Sequence, residues 1–159
     1  MIDPDGQALW DFALDFYGRD GVRHACLRLQ DDAGADVPLL IFVCFAATRG
    51  QAFAFEDLLK IEDEGALWRR GVIGNLRVAR RVLGSWDDDG SRDLKEIVRK
   101  AELEAERLQL FRFARYLTQP TPATAAEARD LGRSSVTAYA MLVPASDSRH
   151  LEHLLSSLG

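Results

Sequence analysis

Arginines concentrate in one segment of this 159-residue sequence, residues 65–86, which contains no acidic side chain. At about 100° per residue they fall on one arc of a helical wheel, beside an apolar arc that includes Trp86. The arginines of the segment are Arg69, Arg70, Arg77, Arg80 and Arg81. Because guanidinium groups form charge-assisted hydrogen bonds with carboxylates and phosphates, this arc indicates a contact with acidic groups.

Two glutamates of the next predicted helix, Glu102 and Glu106, are the candidate partners of these arginines. They lie one helical turn apart, and Glu106 falls in an apolar stripe between Leu110 and Phe113. A buried, unpaired carboxylate is costly, so we expect it to pair with the arginines across a short turn. The candidate binding residues, the Arg/Glu cluster, are therefore Arg77, Arg80, Arg81, Glu102 and Glu106.

Three interpretations of the Arg/Glu cluster stay open from the sequence. The first is a structural network of ion pairs that holds two antiparallel helices in register. The second is a pocket for a small anion or for an acidic peptide of a partner. The third is a solvated face without a role. If the network is buried and structural, replacing Glu106 with alanine should cost several kcal/mol.

Other groups of reactive side chains lack the partners that their chemistry needs. Asp11 and Asp15 have the one-turn spacing of an acidic motif for magnesium diphosphate, but no second acidic motif accompanies them. His150 and His153 could share a metal ion, yet the sequence offers no third and fourth ligand nearby. No nucleophile elbow, Walker loop or dinucleotide-binding glycine pattern occurs. The sequence therefore predicts no catalytic residue, no metal site and no cofactor.

Composition and charge narrow the class of protein and its compartment. The chain is 47% hydrophobic and 28% charged, which is typical of globular proteins, and its net charge of −5 disfavours nucleic acid as a partner. The longest apolar run, residues 37–47, is too short to span a membrane, and the acidic N-terminus is unlike a signal peptide. With Cys26 and Cys44 as the only cysteines, we expect reduced thiols and a cytoplasmic location.

Helical periodicity dominates and strand signals are weak, which predicts an all-α, single-domain bundle of six to eight helices. Residues 36–47 are apolar on every side, so this helix should lie at the centre, with Asp36 as its N-cap and Pro38 in its first turn. Further helices are expected at 5–17, 22–30, 55–60, 65–83 and 91–117. Ser91 is the predicted N-cap of the last of these helices.

Breaks in this pattern predict three segments. Residues 1–118 should form a helical core domain, residues 119–126 a linker with two prolines, and residues 127–159 a helical tail. The tail is amphipathic, so we expect it to pack on the core or on a partner. Within the helix that starts at Ser91, Leu94 and Ile97 belong to an apolar stripe that is expected to face the core.

Three stretches resemble a family of small proteobacterial proteins described as a domain of unknown function. They are residues 10–17 with Gly21 and Val22; residues 25–30 with 36–37 and 39–42; and Trp68, Leu76, Arg77, Arg80 and Arg81 with residues 100–106. The resemblance extends over about residues 8–117 and implies a helical, bacterial, cytoplasmic protein. It assigns no catalytic residue, but it includes Arg77, Arg81, Glu102 and Glu106.

The absence of a catalytic motif and the amphipathic tail favour a non-enzymatic protein-binding or adaptor module. Its expected partner is another protein or a second copy of the chain, with no membrane and no nucleic acid involved. The alternative is a protein that binds a small molecule or an anion, an enzyme included, through the Arg/Glu cluster between two helices. Guanidinium groups that face an open cavity would favour the alternative, and guanidinium groups paired with the glutamates would disfavour it.

Overall fold

The computed structural model describes residues 3–159, and all regular structure within that range is helical. The helices are α1 (Pro4–Tyr17), α2 (Val22–Ala33), α3 (Val37–Thr48), α4 (Phe55–Trp68), α5 (Asn75–Leu83), α6 (Asp89–Phe113), α7 (Ala125–Leu142) and α8 (Ser148–Ser156). A π-helical stretch, Arg69–Gly74, joins α4 to α5, and a 3₁₀ turn, Ala114–Tyr116, follows α6. The predicted all-α class with six to eight helices is confirmed.

The helices group into two units. One comprises the residues up to Glu62 together with Leu110–Gly159, and the other comprises Asp63–Gln109. In the first unit, α3 packs against α1, α2 and α7, while α8 packs against α2 and α7. None of the helices within residues 3–159 combines the length and the hydropathy that crossing a membrane requires.

Helix α3 is the central element of the first unit because it has no polar side to present to solvent. Ten of its 12 residues are buried. Its N-terminus is fixed by Asp36, whose carboxylate accepts a hydrogen bond from the backbone N of Leu39 at 3.3 Å. Pro38 lies in the first turn, where a missing N–H leaves no helical hydrogen bond unmade. The central apolar helix predicted at 36–47 is confirmed, one residue later in the chain.

Helix α7 adds large side chains to the same core by packing along α3. Tyr139 is buried, and its hydroxyl accepts a hydrogen bond from the backbone N of Asp36 at 2.7 Å. Gly132 allows the close approach of three helices, since a Cβ there would lie 2.9 Å from Leu155 Cδ2 and 3.6 Å from Ala47 Cβ. Residues of the predicted tail, 127–159, therefore pack on the central helix.

The proline-containing segment that precedes α7 is tied to the C-terminal end of α3. The backbone N of Thr121 donates a hydrogen bond to the carbonyl oxygen of Arg49 at 2.9 Å. The backbone N of Thr118 donates to Gln51 Oε1, also at 2.9 Å. The segment predicted as a linker, residues 119–126, is thus anchored by its own backbone at its start.

The helix predicted at 55–60 and the helix predicted at 65–83 are not separate elements. Helix α4, the π-helical stretch and α5 follow one another without a break from Phe55 to Leu83. Gly71 and Gly74 do not end the helix, because the wider π-helical turns accommodate the chain there. The continuation through Gly71 and Gly74 agrees with the helix predicted at 65–83, but the break predicted between residues 60 and 65 is wrong.

The predicted N-cap at Ser91 is also wrong. Helix α6 begins at Asp89, and Ser91 lies within its first turn. The carboxylate of Asp88 accepts hydrogen bonds from the backbone N of Ser91 at 2.8 Å and from its hydroxyl at 2.6 Å. Asp88 therefore has the role assigned to Ser91, since a carboxylate competes well with a serine hydroxyl for the N–H groups of a first turn.

Candidate functional site

The second unit is a helical hairpin of two antiparallel arms. Its first arm, residues 63–86, contains the end of α4, the π-helical stretch and α5; its second arm, residues 87–109, contains most of α6. Trp68 Nε1 donates a hydrogen bond to the carbonyl oxygen of Ala105 at 3.0 Å. Further along the first arm, Arg80 contacts Glu102, which precedes Ala105 on the second arm. The direction of these contacts establishes the antiparallel arrangement.

Glu102 is the centre of the Arg/Glu cluster. Its Oε1 accepts hydrogen bonds from Arg77 Nε at 3.1 Å and from Arg80 Nη2 at 3.3 Å, and its Oε2 accepts one from Arg80 Nε at 2.5 Å. The side chain of Glu102 is 9% exposed, against 19% for Arg77 and 30% for Arg80. One carboxylate of the second arm thus bridges two arginines of the first arm, which holds the arms in one register.

Glu106 lies one turn further along α6 and titrates differently from Glu102. Its Oε1 accepts a hydrogen bond from Arg77 Nη2 at 3.1 Å. Burial raises the pKa of Glu106, and the charge of Glu102 raises it further, against the opposing effect of Arg77. Burial also disfavours the charge of Glu102, but hydrogen bonds from Arg80 and Arg77 outweigh it and hold its pKa below the ordinary value. The two neighbouring carboxyl groups are therefore shifted in opposite directions.

Glu106→Gln should become more stable relative to the wild type as the pH rises from about 4 to about 7. The native pKa of Glu106 lies above its unfolded value, so its favourable contribution is present below the unfolded pKa. That contribution is lost as the pH rises through the native pKa. Glutamine does not titrate, so the variant escapes this loss. Urea denaturation at both pH values measures the difference.

Glu104→Gln is the matched control on the same arm. The Glu104 carboxylate pairs with Arg107 at 2.7 Å on the exposed side of α6, and that hydrogen bond lowers its pKa. Its contribution to stability is present above the unfolded pKa and is lost as the pH falls. Relative to the wild type, this variant should lose stability as the pH rises. The same pH trend in both variants would contradict the shift assigned to Glu106.

The structure brings Arg77, Arg80, Glu102 and Glu106 together, and Arg81 is an exposed residue of the same helix, α5. The π-helical stretch turns by a smaller angle per residue than an α-helix. A wheel at a constant angle therefore does not extend across it, and Arg69 and Arg70 cannot be assigned to the arc of Arg77 and Arg80. Ligand binding by the Arg/Glu cluster stays a prediction.

The acidic and histidine motifs of the sequence contact other parts of the first unit. Asp15 pairs with Arg19 at 2.8 Å on the surface of α1. His153 Nε2 lies 2.8 Å from the carbonyl oxygen of Asp20, so the histidine ring connects α8 to the turn before α2. In the part of the chain that the structure describes, residues 3–159, His, Cys, Asp and Glu form no group of three that could hold a metal ion.

The two cysteines have the environment of core residues. Cys26 lies on α2 and Cys44 on α3, and both are buried as free thiols. Burial raises the pKa of each thiol to about 12. The reactive thiolate is therefore scarce at neutral pH, and neither residue is suited to be a nucleophile.

The hairpin exposes apolar side chains that the sequence assigned to a core stripe or to the apolar arc. Ile97 is 64% exposed, Trp86 is 55% exposed and Leu94 is 48% exposed. We define the apolar face of the hairpin by these residues and by their exposed apolar neighbours at successive steps of three or four positions on the same arm. The apolar face consists of Ala79, Val82 and Trp86 on the first arm and of Leu94, Ile97 and Ala101 on the second. The expectation that Leu94 and Ile97 face the core is wrong.

The apolar face and the Arg/Glu cluster fall on opposite sides of the contact between the arms. On the wheel of α5, Ala79 and Arg77 flank the side that meets α6. On the wheel of α6, Ala101 and Glu106 flank the side that meets α5.

The amphipathic pattern of the sequence identifies the apolar side of each helix, but it does not show whether another element covers that side.

Comparison with known proteins places the chain in a family without assigning an activity to it. No curated protein and no solved structure matches the chain significantly. The family described as "Protein of unknown function (DUF2390)" matches residues 8–113, which extend from within α1 to the end of α6 and include both arms of the hairpin. Since this match covers more than half of the sequence, the chain belongs to the DUF2390 family, in agreement with the resemblance to a domain of unknown function.

Proposed function

We propose that this chain is a non-enzymatic protein-binding module and that the apolar face of the hairpin is its docking surface. The supporting observation is the exposure of large apolar side chains on both arms, among them Trp86, Leu94 and Ile97. Monomeric proteins rarely leave a contiguous apolar patch of more than a few hundred Å² in water, and larger patches mark interaction sites. Tryptophan is also enriched among the residues that dominate binding energy at interfaces.

The pairing within the Arg/Glu cluster supports a binding module over an anion-binding enzyme. A site for an anion needs guanidinium groups whose charge is not already balanced by carboxylates of the protein. Arg77 and Arg80 instead donate hydrogen bonds to Glu102, and Arg77 also donates to Glu106. The two carboxylates therefore already offset the positive charge that would attract an incoming anion. The cluster therefore fits a structural network that holds the docking surface in shape.

Affinity capture with matched variants tests the proposed docking surface. The wild type, Ile97→Asp and Leu103→Asp are used as baits in a lysate of the source organism, and the bound proteins are identified by mass spectrometry. Both positions are exposed apolar residues of α6, but Leu103 lies off the apolar face. An aspartate buried against a partner should weaken binding at least about tenfold, which corresponds to 1.4 kcal/mol.

The expected result is a reproducible set of proteins with the wild type and with Leu103→Asp, and its loss with Ile97→Asp. Circular dichroism verifies that all three baits keep their helical content. The captured protein is then purified and titrated against the three chains by calorimetry. Capture that Ile97→Asp leaves unchanged, or no reproducible capture by the wild type, would argue against this function.

A further inference from the structure

We propose that a second copy of this chain occupies the apolar face, so that two hairpins pack face to face as a four-helix bundle. This partner rests on the proposed function, because it is an occupant of the same docking surface. A two-fold interface must be self-complementary: each side presents the same patch. The patch therefore has to be apolar at its centre and to carry charges of both signs in matching amounts.

The charges of the hairpin meet this condition. Residues 63–109 contain ten basic and ten acidic side chains, so the net charge of −5 belongs to the rest of the chain. The first arm, residues 63–86, has five arginines and two carboxylates, a net charge of +3. The second arm, residues 87–109, has five basic side chains and eight carboxylates, a net charge of −3. Arg77, Arg80, Glu102 and Glu106 are already paired within each hairpin, and the remaining side chains give the first arm a net charge of +1 and the second arm a net charge of −1. A two-fold axis parallel to the arms lays each first arm over the second arm of the other copy.

The spacing of the apolar face is that of packed helices. On α6 its members, Leu94, Ile97 and Ala101, are three and then four residues apart; on α5 Ala79 and Val82 are three residues apart, and Trp86 follows the end of the helix at Leu83. A three–four spacing of apolar residues is the pattern by which helices interlock in coiled coils and four-helix bundles. In this arrangement the alanines lie along the seam between the arms, where two layers of helices can approach closely.

The size of the hairpin favours a second hairpin over a single docked helix. Two arms of about 20 residues each form a layer roughly 30 Å long and 20 Å wide. A standard interface takes about 800 Å² from each partner, which is of the order that such a layer offers. A single helix would cover the groove between the arms and leave the outer apolar side chains in water.

The mass of the full chain in solution tests the dimer. Size-exclusion chromatography with light scattering is run over a range of micromolar concentrations on the wild type, Ile97→Asp and Leu103→Asp. We expect the mass of two chains for the wild type and for Leu103→Asp, and the mass of one chain for Ile97→Asp. A wild type with the mass of one chain at every concentration up to several hundred micromolar would overturn the proposal.

A cysteine at the seam tests the geometry of the bundle. Because Ala101 lies near the proposed two-fold axis, Ala101→Cys should form a disulfide-linked dimer under mild oxidation, visible on a non-reducing gel. Leu103→Cys, an exposed position off the apolar face, is the control and should stay largely monomeric on the gel. The native thiols are buried, so they give little background. Equal cross-linking of the two variants would exclude this arrangement.

The dimer and the protein-binding function can fail separately. A wild type of one-chain mass that captures a partner through the apolar face overturns the dimer and keeps the proposed function. A dimer that Ile97→Asp dissociates, combined with no capture of any other protein, keeps the dimer and overturns the adaptor function. The two measurements use the same three chains, so the outcomes are directly comparable.

Discussion

Glu102→Ala should lower the free energy of unfolding by about 3 kcal/mol in urea denaturation at pH 7. The carboxylate of Glu102 is nearly buried and accepts hydrogen bonds from both Arg77 and Arg80. Its removal leaves Arg80 without the carboxylate that it binds and leaves Arg77 with only its hydrogen bond to Glu106 at the contact between the arms. Breaking a buried ion pair by removing one partner typically costs 3–5 kcal/mol, and the partial exposure of the arginines places this case at the lower end.

Glu104→Ala is the matched control for this prediction, because it changes the same residue type on the same helix. Glu104 is exposed and pairs with Arg107, and exposed ion pairs contribute little to stability. The effect of Glu102→Ala should also shrink at low pH. The pKa of Glu102 is lower in the folded protein than in the unfolded chain. The contribution of the Glu102 carboxylate to stability is therefore present above the unfolded pKa of about 4.3 and is lost as the pH falls through the native pKa. Equal urea midpoints for the two alanine variants would show that Glu102 does not hold the arms together.

Gly50→Ala should destabilise the first unit by about 3 kcal/mol, because it combines backbone strain with a steric clash. Gly50 has a φ of 81°, in the left-handed region that alanine avoids. A Cβ at this position would lie 2.2 Å from the carbonyl oxygen of Thr121. That oxygen belongs to the backbone and cannot rotate away as a side chain could. Shifting Thr121 would strain its hydrogen bond to Arg49.

Gly34→Ala separates the strain from the clash. Gly34 has a similar φ of 68°, but the position of its Cβ is open, with no atom of another part of the described chain within 4 Å. The left-handed conformation alone should cost alanine about 1 kcal/mol. Thermal melts of both variants followed by circular dichroism measure the difference. If the two variants have the same melting temperature, the steric clash with Thr121 does not add to the destabilisation of Gly50→Ala.

Local chemistry was sufficient to predict the class of the fold and its central helix. Asp36 supplies an N-cap, Pro38 is compatible with a first helical turn, and the residues that follow are apolar on every side. A helix of this kind is stable only when it is surrounded, so its central position follows from its composition. Helix α6 was predicted from its helix-forming residues and a polar first turn, although its N-cap is Asp88 and not Ser91.

The register between the arms of the hairpin could not be read from either arm alone. The wheel emphasised Glu106 because it lies in an apolar stripe, but the structure gives Glu102 the bridging role between Arg77 and Arg80. Which glutamate meets which arginine depends on how far the two arms slide along each other. That displacement is set by contacts between the arms, such as the hydrogen bond from Trp68 to Ala105. No periodicity within a single helix contains this information.

The apolar face shows a second limit of periodicity. A stripe such as Leu94 and Ile97 indicates which side of a helix avoids water, and a helix in the middle of a chain is then expected to face that chain's own core. In the structure, however, Ile97 is 64% exposed. The pattern is the same for a helix that packs within its own chain and for one that packs on a partner. Only the arrangement of the two arms distinguishes these cases.

The location of the two cysteines makes the opening of the first unit separately measurable by alkylation kinetics. Both thiols lie in the first unit, and residues 63–109 contain none. An alkylating reagent can reach Cys44 only when the helices around α3 separate, so the rate of alkylation under native conditions measures how often that unit opens. Fraying of the hairpin does not expose a thiol. A mass spectrum recorded during alkylation therefore follows the opening of the first unit without interference from the second.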